Sequence, residues 1–326
     1  MLGIEGTAHT VGVGIVDSAF NICADARATF NPVSGGIHPR DASLHISENL
    51  PKMIETAFYQ SGIDPSEINA ISFSQGPGLS PCLRSTATGA RALSLALDKP
   101  LIGINHALAH IELGVTICNI EDPLTLYVSG GNTQLTAYAN HRYHIFGETQ
   151  DIAIGNMIDT VARAIGYDYA LAGPIIEKEA KLGKKFLFLP YSVKGTSVAY
   201  SGLTTAAIRA KIEFNEDPKD IAYSIQEVAF AMLAEITEKA FIVSGRKKIL
   251  LTGGVAANKR LKEMLTIVAE ENGGMLEIVP IKLAGDNGVM IAMAGLKFWK
   301  AGKYVINISE SFVKPKWRID DIFIPW

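Results

Sequence analysis

Short apolar runs broken by glycine, alternating with longer runs of helical period, organise this chain. Gly3-Ile4-Glu5-Gly6-Thr7-Ala8-His9-Thr10 followed by Val11-Gly12-Val13-Gly14-Ile15-Val16-Asp17 predicts two strands around a polar turn. Residues 41–61 place Leu44, Leu50, Ile54 and Phe58 at helical spacing and stop before Gly62. Residues 70–74 read as a short buried strand, followed by the turn Gln75-Gly76-Pro77-Gly78. Residues 83–97 read as a helix, 101–104 as a strand, and a helix carrying two histidines follows. The pattern then restarts. Residues 124–128 and 133–138 form a second hairpin around Gly130-Gly131, and a helix is expected over 156–165. A long helix over 221–243 has apolar residues at a ~3.6 period. The strand 249–252 enters Gly253-Gly254-Val255-Ala256-Ala257-Asn258 and another helix, followed by a strand over 275–279 and a helix over 286–299. Two halves that each open on a glycine-punctuated hairpin predict a duplicated α/β unit with a central cleft. The halves are expected at 1–120, with a C-terminal return over 297–326, and at 121–296.

Composition narrows the class. The chain has 326 residues, 48% hydrophobic and 19% charged, which suits two globular domains. No apolar run reaches the ~18 residues of a membrane span. The N-terminus starts a strand pattern at once with no basic segment, so a signal peptide is not expected. Cys23, Cys82 and Cys118 are scattered thiols without paired spacing, which points to a reducing cytoplasm and not to a disulfide framework. A net charge of −3 neither announces nor excludes a nucleic-acid ligand, since local patches decide such binding.

The candidate chemistry lies between residues 105 and 134. His106 and His110 are four apart and share one helical face. They read either as partly buried structural histidines or as two ligands of one divalent metal. Ala107 leaves no carboxylate between them, so an H-E-x-x-H protease is excluded. Further ligands must come from elsewhere. Tyr127, which leads into the Gly-Gly turn, and Asp286, at an expected helix start, are candidates, although Asp286 also reads as an N-cap. Two imidazoles, a phenol and a carboxylate suit iron or zinc better than calcium. Gly130-Gly131 reads as a tight hairpin or as a turn whose N–H groups approach an anion. The side chains of Asn132, Thr133 and Gln134 can bond to phosphate or ribose. Gly254 and Asn258 occupy a strand-to-helix junction. Asp159 and Arg163 offer an i,i+4 ion pair or a ribose contact, and Gly173-Pro174-x-x-Glu177 supplies a turn and a first-turn acid. Neither G-x-x-x-x-G-K-[ST] nor a strand-to-helix G-x-G-x-x-G is present.

Taken together these residues resemble one family, the universal TsaD-type tRNA threonylcarbamoyladenosine synthases, formerly labelled O-sialoglycoprotein endopeptidases. The resemblance runs over nearly the whole chain: Gly3 to Thr10, Gly36-Ile37-His38-Pro39-Arg40, Gly76-Pro77-Gly78-Leu79 with Leu83-Arg84, the His106/His110 segment, Tyr127 to Gln134, Asp151 to Arg163, Tyr200-Ser201-Gly202-Leu203, Gly253 to Asn258 and Gly285-Asp286-Asn287. Tyr191-x-Val193-Lys194-Gly195 looks like the archaeal–eukaryotic branch that works in the KEOPS complex. The chain departs from the family's usual Pro-Gly-Gly-Pro at Leu171-Ala172-Gly173-Pro174, and from Phe-Ser-Gly-Leu at Tyr200 to Leu203.

The resemblance implies an actin/hexokinase/Hsp70-like (ASKHA) duplicated two-domain fold. It implies transfer of threonylcarbamoyl from threonylcarbamoyl-AMP to the adenosine beside the anticodon of ANN-decoding tRNAs, with release of AMP. It implies His106, His110, Tyr127 and Asp286 as ligands of one divalent metal, iron(II) before zinc(II). It implies adenine-nucleotide contacts at Tyr127, Val128, Ser129, Gly130, Gly131, Asn132, Asp159, Gly173, Glu177, Gly254 and Asn258, where ATP can also bind. The implied partners are tRNA and the KEOPS subunits: a small Bud-type kinase, expected as a separate chain, a dimerising Pcc-type subunit and a Cgi-type subunit, with no membrane. A sugar or acetate kinase of the same superfold, a metalloprotease and a non-catalytic nucleotide-binding scaffold are the rival readings. No base for the adenine amine is legible.

Overall fold

The structure, a computed structural model, describes residues 1–326 apart from 33, 34, 170 and 303. Two five-stranded sheets are built alike. In the first, β1 (Leu2–Glu5), β2 (Thr10–Val16), β3 (Ile22–Thr29), β4 (Ile71–Gly76) and β5 (Leu101–Asn105) lie in the order β3-β2-β1-β4-β5. β1 is antiparallel to β2 and parallel to β4. The second half repeats this plan with β6 (Leu124–Val128), β7 (Thr133–Ala139) and β8 (Arg142–Glu148). It inserts a small hairpin of β9 (Val193–Lys194) and β10 (Ser197–Val198), then adds β11 (Lys248–Thr252) and β12 (Met275–Ile278). The order is β12-β11-β6-β7-β8, with β6 antiparallel to β7 and parallel to β11. In both sheets the third strand is antiparallel to the second. The repeat of order and polarity matches the duplication expected from the two hairpins. β1, β2 and β6 are buried along their whole length, as strands covered on both faces must be, so their sequences read as continuous apolar runs.

Helices α1 (Pro39–Ser61) and α2 (Ser80–Leu97) pair on the first sheet. α1 opens with proline in its first turn and closes on the left-handed Gly62. Its buried row is Ala42, Ile46, Leu50 and Ala57, so Leu44, expected on that face, is exposed. α3 (His106–Ile117) follows β5 directly. On the second half lie α4 (Ile154–Ala164), α5 (Gly173–Ala180), α6 (Ser201–Ile212), the long α7 (Pro218–Ser244) and α8 (Lys259–Glu271), and a short α9 (Ile281–Ala284) leads to α10 (Gly288–Lys300).

α3 and α10 pack together between the sheets. The return was expected at residue 297, yet α10 already packs on β1, β2 and β4. Its seat has no side-chain layer. A Cβ at Gly3 would stand 2.2 Å from the Ala292 nitrogen, and one at Gly14 would stand 2.3 Å from that of Val289. Both helices are tied by a buried charge group. Lys297 Nζ on α10 donates to Glu112 Oε2 on α3 at 2.5 Å, and Tyr143 on β8 donates to Glu112 Oε1 at 2.6 Å.

The last residues cross both halves. Ile306 N donates to Leu101 O and Gln75 Nε2 to Phe312 O on the first half, while Ile324 N donates to His141 O on the second. Among the described residues no helix is long and apolar enough to cross a membrane.

Candidate functional site

β5 ends on Asn105, whose side chain caps α3 by accepting from Leu108 N at 3.1 Å. The cap starts the helix at His106, and the helical period then sets His110 one turn further in. Both imidazoles are buried, with ring centroids 4.8 Å apart. Asp286 arrives from the segment between α9 and α10. The cap of α10 is Asn287, which accepts from Met290 N at 2.9 Å, so the N-cap alternative for Asp286 is not realised and its carboxylate is free to face the histidines. Asp286 Oδ1 lies 3.2 Å from His110 Nε2 and 3.6 Å from His106 Nε2. One donor atom from each of His106, His110 and Asp286 falls within 4.8 Å of the others. Tyr127, the penultimate residue of β6, stacks on His110 with centroids 4.8 Å apart and planes 29° apart.

Behind His106 stands a residue with no role legible in the local pattern. Glu5, at the end of β1 and fully buried, places Oε2 3.1 Å from His106 Nδ1. Its other oxygen accepts from Thr7 N at 2.8 Å and Thr7 Oγ1 at 2.7 Å. A carboxylate on one ring nitrogen leaves the opposite one to face a ligand and fixes the ring plane. Only its place in the Gly3 to Thr10 match could have drawn attention to Glu5.

Electrostatics sharpen the site. Burial alone would lower the His106 imidazole, but the Glu5 and Asp286 carboxylates reverse this and raise it to about 9. Burial lowers His110 in spite of its contact with Asp286. Burial would raise Asp286, and the neighbouring histidines overcome it and hold the carboxyl well below its ordinary range. Burial pushes the Tyr127 phenol far up, with Asp286 adding to the rise. His110 Nδ1 and the Tyr127 hydroxyl are buried without a hydrogen bond among the described residues. The orphaned Tyr127 hydroxyl beside the convergent His-His-Asp group fits a divalent ion, because burial of an unpaired polar atom is costly otherwise. The donor set of neutral nitrogens and oxygens fits it as well.

The Ser129–Asn132 turn is closed by Ser129 N donating to Asn132 O at 2.8 Å and Asn132 N donating to Ser129 Oγ at 3.0 Å. Positions Gly130, Gly131, Gly173 and Gly254 have no heavy atom within 4 Å of a Cβ built on them, so each faces open space. Gly253 is different: its φ is +97° and a Cβ would meet Val128 O at 2.2 Å. Val128 is itself buried. Two neighbours expected to be free for a ligand are used internally. Thr133 Oγ1 accepts from Ile154 N at 2.9 Å, starting α4, and Gln134 Nε2 donates to Glu148 at 3.2 Å.

Asp159 does not form the offered ion pair with Arg163, which donates instead to Thr160. It accepts from Ala172 N at 2.7 Å, just ahead of Gly173. Burial raises its carboxyl, opposed by that amide. Glu177 Oε1 accepts from Lys259 N at 3.3 Å, and Asn258 caps α8 while its amide donates to Gln226 at 3.0 Å. Asp151 accepts the amides of Tyr200 and Ser201, both at 2.8 Å, which anchors the start of α6.

A family model, TsaD: tRNA N6-adenosine threonylcarbamoyltransferase, matches residues 21–293. A tRNA N6-adenosine threonylcarbamoyltransferase of Archaeoglobus fulgidus is 47% identical over 325 residues, 100% of this chain and 99% of its own length. A probable bifunctional tRNA threonylcarbamoyladenosine biosynthesis protein of Methanocaldococcus jannaschii is 48% identical, and the chain spans 60% of that protein's length. Among solved structures, HypF of T. kodakarensis has a TM-score of 0.64 at 17% identity, covering 83% of this chain and 45% of that one. Component A of Acidaminococcus fermentans (R)-2-hydroxyglutaryl-CoA dehydratase has a TM-score of 0.57 at 15% identity, covering 93% and 99%. These two share the ASKHA-type fold. The length and identity of the relatives' match carry the assignment further than fold: the chain belongs to the TsaD family of tRNA N6-adenosine threonylcarbamoyltransferases.

Proposed function

We propose that this chain transfers the threonylcarbamoyl group of threonylcarbamoyl-AMP to N6 of the adenosine beside the anticodon of ANN-decoding tRNAs, releasing AMP. The observation that carries the reading is the convergence of His106, His110 and Asp286 beside the stacked Tyr127, three residues before the open Gly130-Gly131 turn. His106, His110, Tyr127 and Asp286 would hold one divalent ion. Two histidines and a carboxylate with an open side are the set that iron(II) takes in non-haem sites, and zinc(II) is the alternative. When bound, the ion supplies Lewis-acid stabilisation of charge on a carbonyl or phosphate oxygen.

The chain's own residues do the remaining work. The donor is a mixed carbamic–phosphoric anhydride, so AMP is already a good leaving group. Positioning and exclusion of water dominate what the protein must add. The backbone N–H groups of Gly130 and Gly131 face the phosphate, an approach supported by the empty space over both glycines. The nucleoside lies along Asp159, Gly173, Glu177, Gly254 and Asn258, with the open Cβ positions of Gly173 and Gly254 as its wall. Val128 and Tyr127 set the start of the turn.

The partners are tRNA and KEOPS-type subunits: a Bud-type kinase, a dimerising Pcc-type subunit and a Cgi-type subunit, working in the cytoplasm. A net charge of −3 is a poor match to a polyanion whose affinity comes largely from phosphate contacts, so basic partner surfaces complete the tRNA site. The test is incubation of the metal-loaded chain with threonylcarbamoyl-AMP and unmodified tRNA, alone and with each partner, with nucleoside mass spectrometry of the product. Weak tRNA binding alone and product with partners are expected. Full turnover by the chain alone would overturn the partner requirement. Transfer of the ATP γ-phosphate to a small molecule, without modified tRNA, would favour the kinase reading.

A further inference from the structure

We infer that His9 is the proton acceptor of the transfer step, taking the proton that the adenine N6 amine loses as it bonds to the threonylcarbamoyl carbonyl. The inference rests on the transferase reading above and fills the role left open by the sequence.

His9 lies in the turn between β1 and β2, the counterpart in the first half of the Ser129–Asn132 turn between β6 and β7. The duplication therefore sets both turns on the cleft. Three contacts locate it there. Two residues before it, Thr7 Oγ1 lies 3.3 Å from His106 Nδ1. Three residues after it, a Cβ at Gly12 would stand 3.3 Å from the Asn287 Cα, next to Asp286. Its own carbonyl accepts from Phe30 N at 2.7 Å. Further along the first half, Gly35 N donates to Asp168 Oδ1 of the second half at 2.9 Å.

The ring is also free. It is partly buried, it lies outside the His106/His110/Asp286 donor group, and it makes no hydrogen bond or ion pair among the described residues. It lies within electrostatic reach of both Asp159 and Asp286. An unpartnered imidazole in the turn beside the metal centre, within reach of Asp159, is the group best suited to proton transfer. The step balances. The N6–carbonyl carbon bond forms, the carbonyl carbon–oxygen bond to phosphate breaks, and its electron pair leaves with AMP. The N6 proton passes to the imidazole lone pair and then to solvent.

The experiment is single-turnover transfer with preformed threonylcarbamoyl-AMP and unmodified tRNA, using the metal-loaded full chain with its partner subunits. Wild type, His9→Gln and His9→Ala are compared. Loss of a general base lowers the rate by roughly 10²–10⁴-fold. The variants are expected to keep metal content and AMP affinity, to lose the acidic limb of the pH–rate profile, and in His9→Ala to regain rate with added imidazole. An active wild type with unchanged variant rates, with the acidic limb retained, or with a rate loss matched by lost AMP affinity overturns the assignment alone. A wild type that forms no product under any of these conditions overturns the transferase reading, and the assignment with it.

Discussion

His110 and Tyr127 stack face to face, with centroids 4.8 Å apart, although one belongs to the helix that closes the first half and the other to the first strand of the second. The candidate metal centre is thus assembled across the duplication. Neither strand-helix unit alone carries the whole candidate set.

Replacing both histidines, His106→Ala with His110→Ala, should abolish bound metal and transfer activity while the far-ultraviolet circular dichroism stays native. Elemental analysis of the purified double variant is the check. Stoichiometric metal in that variant would remove these residues from the ligand set.

Glu5 holds the ring of His106 from behind. Glu5→Ala should weaken metal binding by roughly 10–100-fold, the usual cost of losing such a support. Glu5→Gln, which keeps an acceptor oxygen, should recover part of it. Equal affinity in wild type and Glu5→Ala, measured by competition with a chelator, would show that the contact does no orienting.

The raised His106 gives metal binding a pH dependence of defined sign. Below about 9 the metal-free ring holds a proton that an incoming ion must displace. Apparent affinity should therefore rise with pH up to that point, with proton release seen by calorimetry in buffers of different ionisation enthalpy. Linkage applies to the metal-free fold as well. A pKa raised from 6.5 to about 9 contributes stability that is fully present below pH 6.5 and is lost as pH rises through 9. His106→Gln should flatten this loss in a chelator-treated thermal scan.

Gly131→Val and Gly254→Val place side chains into space that the protein leaves empty. Both variants should fold with near-normal melting temperatures and lose AMP binding by calorimetry. Gly253→Val differs, because φ of +97° and the Val128 carbonyl at 2.2 Å oppose any side chain, and it should lose stability first. Unaltered AMP affinity in both Gly131→Val and Gly254→Val would move the nucleotide elsewhere.

The Glu112–Lys297 pair is asymmetric, with Glu112 more deeply buried than Lys297 (side-chain exposure 2% against 17%). Lys297→Met strands a carboxylate with only Tyr143 as donor and should cost about 3–5 kcal/mol, as breaking a buried pair does. Glu112→Gln leaves a lysine nearer to water and should cost less. Chemical denaturation of both variants tests the order.

Much of this arrangement was legible in the sequence because periodicity carries it. The two hairpins, the long α7 and the His106/His110 spacing all follow from local pattern. β3 and β8 escaped the reading since they are edge strands, where Asp25, Arg27, Arg142 and His144 interrupt the apolar run. α6 escaped because alanines, threonines and charges are spread around its circumference rather than gathered on one face. Asp286 was the cap that local pattern offered, and only the fold shows that its neighbour Asn287 takes the amide. Glu5 meets His106 across 101 residues of chain, a contact no local pattern encodes.

The seat of α10 has a consequence for how freely this sequence can drift. Cores tolerate swaps of similar volume because side chains repack, and the three apolar clusters around the sheets offer many such positions. Where Gly3 and Gly14 meet Gly288, Val289 and Ala292 there is no side chain to repack, since backbone lies on backbone. The position of Asp286, two residues before that helix, is therefore inherited from main-chain contact. Most of the interior can vary without moving the carboxylate, whereas a single added methyl at Gly3 or Gly14 displaces it.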